Sequence, residues 1–184
     1  MTKLTKLILA MALLVFLNAC ASDDDASGGD LEGTWKAVEF DADINNDTQF
    51  NGGSSIAVIE AEASDLDYQV TFDGGDWTTA GGYKMTTSGS VSGIAIDAQT
   101  STYTNVSGSG TYSDNETTLT INGSFFEFDF NGAPAVSAGE AQTVDYEINS
   151  NDELIITQNE TMTSTSGGVT STATIVSQSK WERQ

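Results

Sequence analysis

The sequence of 184 residues contains no histidine, one cysteine and one proline. Without histidine the chain cannot form a Ser-His-Asp or Cys-His catalytic relay, or a zinc site of the usual histidine and cysteine kind. The single cysteine, Cys20, excludes a disulfide within the chain. These absences remove several classes of enzyme. We therefore expect a protein that is not an enzyme and that needs no cofactor.

Basic side chains are also scarce. The chain has 6 lysines and arginines against 27 aspartates and glutamates, which gives a formal net charge of -21. Binding to nucleic acids depends largely on basic groups that neutralise phosphates. We therefore expect no nucleic-acid partner.

The first 19 residues have the pattern of an export signal. Lys3 and Lys6 precede an apolar run from Leu7 to Leu17. A helix needs roughly 20 apolar residues to span about 30 Å of hydrocarbon, and this run is much shorter. The segment is therefore predicted to be a cleaved signal peptide, residues 1–19.

The only cysteine follows that run directly, after Ala19. This arrangement resembles the lipobox of bacterial lipoproteins, which implies that Cys20 is the acylated N-terminus and that acyl chains attach the protein to a membrane. The alternative is an ordinary secretory signal with an incidental cysteine. Residues 20–30 would form a flexible acidic tether. Its tract Asp23-Asp24-Asp25 resembles a lipoprotein surface-export signal, which implies a location at the outer membrane or cell surface.

Residues 31–184 are predicted to form one all-β domain with little helix. Runs rich in β-branched and aromatic residues alternate with glycine-containing turns, as in a sandwich or barrel of eight or nine antiparallel strands. Residues 56–66 fit a strand slightly better than a short helix. The predicted strands are Glu32 to Asp41, Asp67 to Asp73, Trp77 to Val91, Ser101 to Ser113, Thr117 to Ile121, Ser124 to Phe130, Thr143 to Asn149, Glu153 to Thr163 and Val169 to Glu182.

Two local patterns make this prediction more specific. Phe126, Phe128 and Phe130 alternate with acidic residues, which predicts a strand with one buried face. Asn122-Gly123 lies between two β-rich runs and is the favoured sequence for a two-residue hairpin turn. We expect a hairpin there.

Three segments resemble the lipocalin-like domains, in particular the lipid-anchored bacterial ones. These are Gly33-Thr34-Trp35 near the start of the domain, Gly108-Ser109-Gly110-Thr111-Tyr112 in its middle, and Trp181-Glu182-Arg183 at its end. The resemblance implies a single meander barrel of antiparallel strands. It also implies that Gly33, Trp35 and Arg183 close one end, with the arginine packed over the tryptophan.

The fold predicted in this way allows two functions. Small barrels hold either packed side chains or one small ligand, and Tyr68, Phe72, Phe126 and Phe128 could line or fill the interior. The leading hypothesis is that a monomer binds a small apolar or amphipathic molecule. The alternative is a non-catalytic surface interaction or structural module with a filled barrel.

One acidic segment has part of a calcium-binding pattern. Asp41, Asp43, Asn45 and Asp47 place oxygen atoms at alternate positions, as a calcium loop does. The glycine and glutamate that complete such a loop are replaced by Asn46 and Gly52. A solvated loop is the better interpretation, and we expect no metal.

Overall fold

The computed structural model describes residues 30–126, 129–130, 133–134 and 141–184. These residues form eleven β-strands and no helix, so none of them belongs to a helix that could cross a membrane. Cys20, the tether up to residue 29 and Phe128 lie outside the described residues. The strands are β1 (Gly33–Phe50), β2 (Gly53–Asp73), β3 (Asp76–Val91), β4 (Ile94–Val106), β5 (Ser109–Asn115), β6 (Thr118–Asn122), β7 (Asp129–Phe130), β8 (Ala133–Pro134), β9 (Ala141–Ile148), β10 (Glu153–Ser166) and β11 (Val169–Arg183).

Nine of these strands form one antiparallel sheet, and β7 pairs separately with β8. The order in the large sheet is β2-β1-β11-β10-β9-β6-β5-β3-β4. Strand β2 also pairs with β3 from Ala57 to Asp73. This additional pairing closes eight of the strands into a ring and leaves β4 outside it, hydrogen-bonded to β3.

The ring is closed at one end and open at the other. Near the closed end, β5 pairs with β3 over Asp76–Thr78, and β9 pairs with β10 over Leu154–Thr157. Beyond these contacts β10 continues along β11 only, and β3 continues between β2 and β4. The distant half is therefore a six-stranded sheet with two free edges, β4 and β10.

Alternation of apolar and polar residues determines which face of each strand points inward. In β1, Trp35, Ala37 and Phe40 are buried and the residues between them are more exposed. A β-bulge between Ala37 and Glu39 shifts the phase by one residue, which keeps the apolar residues on the inner face on both sides of the bulge. The core therefore lies inside the ring.

Several sequence predictions are confirmed. Residues 56–66 lie in strand β2. Asp73-Gly74-Gly75 joins β2 to β3, and Ser166-Gly167-Gly168 joins β10 to β11, with positive φ at all four glycines.

Other predictions are wrong. Asn122-Gly123 does not form a hairpin, because β6 pairs with β5 on one side and β9 on the other. Ser124 to Phe126 lies outside any strand. The predicted strand Ser101 to Ser113 is divided between β4 and β5.

Candidate functional site

The space inside the closed end is occupied by aromatic side chains. Tyr68 lies near the centre, with its ring centroid 5.0 Å from that of Tyr83, 5.3 Å from Phe126 and 6.1 Å from Trp181. All four side chains are buried. Edge-to-face and tilted aromatic pairs at such distances add to the stability gained from burial alone.

Two consecutive aromatic residues, Phe125 and Phe126, fill this interior from the segment after β6. Phe126 stacks on Phe40 at 4.3 Å, and Phe125 makes an edge contact with Trp77 at 5.1 Å. The Tyr68 hydroxyl donates a hydrogen bond to the Phe125 carbonyl oxygen. Gly123, with φ of 110°, precedes this segment. Because both phenylalanines are buried, the segment does not follow the alternation of a strand.

A small cavity remains beside Phe126. It measures about 50 Å³. Pockets that bind drug-sized ligands measure about 300–1,000 Å³, so this cavity has room for water but not for such a ligand. It is lined by residues of both polarities, among them Phe40, Val144, Ile156, Gln158, Ile175 and Ser177.

Four residues were predicted as ligand-lining. Tyr68, Phe72 and Phe126 are buried in the aromatic cluster, and Phe128 lies outside the described residues. Sequence reasoning missed Phe125. The signal available for it was the adjacent aromatic pair, which a strand with one buried face cannot accommodate.

Trp35 and Arg183 lie together at the closed end. The Arg183 guanidinium carbon lies 4.1 Å from the centroid of the fully buried Trp35 ring. The guanidinium also donates hydrogen bonds to both carboxylate oxygens of Asp152 and to the carbonyl oxygens of Glu32 and Asp30. These contacts join the first and last strands to the β9–β10 turn.

Gly33 permits this close approach. Its φ is 121°, and a Cβ atom at this position would lie 3.2 Å from Nη1 of Arg183. Trp35 donates its indole N–H to the carbonyl oxygen of Leu31 at 2.9 Å. Gly33, Trp35 and Arg183 therefore lie together at the closed end. These are the residues that the lipocalin-like resemblance predicted for closure.

The residues considered for calcium binding form part of a strand, not a loop. Asp41, Asp43, Asn45 and Asp47 lie on the outer face of β1. A calcium loop wraps its ligands around the ion, whereas an extended strand spaces alternate residues nearly 7 Å apart. Among the described residues, no group of three or more acidic or cysteine side chains is arranged to hold a metal ion. The prediction that these residues form a solvated loop is therefore wrong.

This outer face brings acidic side chains together across two strands. Asp41 lies directly opposite Glu62, and Asp43 lies opposite Glu60. Like charges at opposed positions destabilise a sheet. The pKa of Asp41 is raised, first by partial burial and then by the negative charges of Glu39, Asp43 and Glu62.

Comparison of the chain with protein-family models, with curated proteins and with solved structures gives no significant match. The functional assignment therefore depends on the geometry described above.

Proposed function

We propose that this protein is a cell-envelope lipoprotein with a lipocalin-like barrel, and that the barrel is a non-catalytic interaction module. In this proposal Cys20 carries the acyl chains, residues 20–30 form the tether, and the outer surface of the barrel makes the functional contacts. The lone cysteine after the apolar run supports the anchor. The closed ring and the Arg183–Trp35 contact support the lipocalin-like character.

The observation that carries this proposal is the filled interior. Phe125 and Phe126 occupy the centre of the ring, and the cavity beside Phe126 measures about 50 Å³. A carrier of small apolar molecules would need several times this volume. The geometry therefore favours the interaction module over a carrier that holds its ligand inside the barrel.

The test is a titration of the full chain, in detergent, with an environment-sensitive apolar dye, followed by competition with neutral, cationic and anionic lipids. An equal concentration of detergent without protein is the background control. We expect no saturable binding of the dye to the folded protein. Saturable binding with 1:1 stoichiometry that a lipid displaces would support the carrier and contradict the proposal.

The anchor has a separate test. Cys20→Ala should abolish labelling by a metabolic fatty-acid probe, because no other cysteine can take an acyl chain. Cys20→Ser is a second variant that keeps the size of the side chain. Labelling of either variant at the level of the natural protein would contradict the lipoprotein assignment.

A further inference from the structure

A second cavity lies in the wall of the ring, where β2, β3 and β4 run side by side. It is a groove of about 370 Å³ that is open to solvent. Its lining includes Asp65, Asp67, Gly82, Lys84, Tyr103 and Asn105. Tyr83 also lines the groove and belongs to the aromatic interior, so the groove lies on the outer side of that cluster.

The groove forms where neighbouring strands lose register. The β2–β3 pairing shifts between Ser64 and Asp67, and the β3–β4 pairing shifts between Gly81 and Tyr83. Such irregularities redirect side chains and are common next to binding sites. Here both occur at the same level of the sheet.

Two glycines let the strand backbones come together at this level. A Cβ atom on Gly81 would lie 2.0 Å from the Asp67 carbonyl oxygen, and one on Gly82 would lie 2.7 Å from the Tyr103 carbonyl oxygen. No larger residue fits either position without a shift of the backbone. The shape of the groove is therefore built into the sheet.

Each carboxylate of the groove has a lysine partner, but only Lys84 belongs to the lining and Lys36 lies outside it. Lys84 pairs with Asp65 at 2.7 Å, and Lys36 pairs with Asp67 at 3.6 Å. The described residues contain four basic side chains in all, and these are two of them. A groove with paired charges has little net attraction for an ion, but its carboxylates accept hydrogen bonds and its lysine ammonium group donates them.

Uncharged polar groups add to this hydrogen-bonding capacity. Thr102, Thr104 and Asn105 line the groove beside the ion pairs. Tyr103 is partly exposed and stacks on the buried Tyr83, with 5.0 Å between their centroids. A neutral molecule with many hydroxyl groups matches these donors and acceptors without bringing in a charge.

We propose that this groove binds a neutral saccharide. The inference rests on the proposed interaction module, because it names the chemical class that the outer surface recognises. The groove that combines the Lys84–Asp65 ion pair with threonine hydroxyls and the Tyr103 ring carries the proposal.

The experiment uses the full chain in detergent, with isothermal calorimetry against maltose, cellobiose, lactose and N,N′-diacetylchitobiose. Glucuronate and glucosamine test anionic and cationic sugars, with glucose as their neutral reference. We expect saturable binding of at least one of the neutral disaccharides, and stronger binding of glucose than of either charged sugar.

Two variants locate the binding. Lys84→Ala removes the ion pair with Asp65 and should weaken the affinity about tenfold, which corresponds to about 1.4 kcal/mol. Lys180→Ala is the matched control, because it removes the same charge from an ion pair with Glu39 elsewhere on the sheet, and it should leave the affinity unchanged. Asp65→Asn provides a second variant at the groove and should also weaken binding.

Absence of binding by all four disaccharides, or an equal loss in Lys84→Ala and Lys180→Ala, would overturn the saccharide site. Stronger binding of a charged sugar than of glucose would overturn it as well. Failure of this site differs from failure of the interaction module. If only the saccharide site is wrong, the folded protein still shows no saturable binding of the apolar dye. If the interaction module is wrong, the dye binds saturably inside the barrel, whether or not a saccharide binds.

Discussion

At the scale of single residues, the closed end depends on one contact between the two ends of the domain. Arg183 covers the Trp35 ring and is fixed by Asp152 and by two carbonyl oxygens. A cation over an indole contributes about 0.5–2 kcal/mol, depending on desolvation. The packing of the buried indole contributes more, because a large side chain is removed from water.

The first prediction follows from this contact. Trp35→Ala should lower the free energy of unfolding by about 3–5 kcal/mol, since it leaves a cavity in the core. Arg183→Ala should cost less, and the effects of the two substitutions should not add, because the side chains touch. Urea denaturation of the two single variants and the double variant measures the coupling.

Arg183→Lys is the control for this cycle. It keeps the positive charge but loses the planar guanidinium and its several directed hydrogen bonds. We expect it to be less stable than the natural protein. Additivity of Trp35→Ala and Arg183→Ala within the error of the measurement would contradict the closure.

The second prediction concerns the opposed carboxylates of β1 and β2. Because the pKa of Asp41 is raised in the folded state, its charged form is less favourable there than in the unfolded chain. Asp41 therefore lowers stability above its raised pKa, and this cost disappears as the pH falls through that pKa towards 3.8 and below. Asp41→Asn should raise the melting temperature at pH 7 but not below pH 3.8.

Asp97→Asn is the matched control. It removes one exposed carboxylate from the edge strand β4, which β3 separates from the acidic residues of β2. Its effect at pH 7 should be smaller than that of Asp41→Asn. Equal effects of the two substitutions, or a gain for Asp41→Asn that persists at low pH, would show that the opposed carboxylates do not cause the cost.

At the scale of strands, the sheet requires glycine where two backbones approach. A Cβ atom on Gly89 in β3 would lie 2.0 Å from the carbonyl oxygen of Val58 in β2. The backbone must move to accept even one methyl group. Close approach of this kind ties a single residue to the pairing of two long strands.

The third prediction tests this requirement. Gly89→Ala should destabilise the protein by roughly 1–3 kcal/mol, as overpacking does in a well-packed site. Gly53→Ala is the control, because its Cβ atom would lie 3.4 Å from the Phe50 ring, an ordinary contact. Thermal unfolding should show a large decrease for the first variant and a small change for the second. The reverse order would contradict the β2–β3 register.

The strands show what sequence patterns can and cannot predict here. Turns with two adjacent glycines, such as Gly74-Gly75 and Gly167-Gly168, were predicted correctly because positive φ is a local requirement. The segment Asp41 to Asp47 was predicted as a loop because its residues are polar, yet β1 continues through it. Its outer face is solvated while Ala42 and Ile44 are buried, and long-range pairing with β2 and β11 extends the strand.

The hairpin predicted at Asn122-Gly123 is absent for a related reason. Both edges of β6 are taken by β5 and β9, so the next residues cannot pair with it. The chain instead directs Phe125 and Phe126 inward. Local turn preference predicted a turn but not its partner, because distant strands determine which edges remain free. For the same reason, the sequence could name Tyr68, Phe72 and Phe126 as interior residues. It could not decide whether they line a cavity or fill the interior.

At the scale of the whole molecule, charge is the dominant feature. The sequence carries a net charge of -21, and a net charge far from zero destabilises a compact state through self-repulsion. The like-charged pairs of β1 and β2 concentrate this repulsion on one face. Within the described residues, the ion pairs of Lys36, Lys84, Lys180 and Arg183 involve other acids.

The fourth prediction is therefore a stabilising effect of salt. The melting temperature should rise as sodium chloride increases from about 0.01 M to about 0.15 M, since the Debye length falls from about 30 Å to about 8 Å. A variant with Asp41→Asn, Asp43→Asn, Glu60→Gln and Glu62→Gln should show a weaker dependence on salt. A melting temperature that falls with salt would contradict the view that repulsion outweighs the ion pairs.

The packed interior is the central claim, and the matched pair of the natural protein and Phe126→Ala tests it. A ligand that binds only the folded state raises the melting temperature, and an apolar cavity of sufficient size binds benzene. Removal of the Phe126 ring should lower stability by about 3–5 kcal/mol and open such a cavity. Phe50→Ala is the control, because Phe50 is 46% exposed and its removal opens no internal space.

The decisive measurement is the shift in melting temperature caused by benzene in these three proteins. We expect no shift for the natural protein or for Phe50→Ala, and a rise for Phe126→Ala. A rise of the same size in the natural protein would contradict the packed interior, because it would mean that the ring already holds a cavity large enough for an apolar ligand.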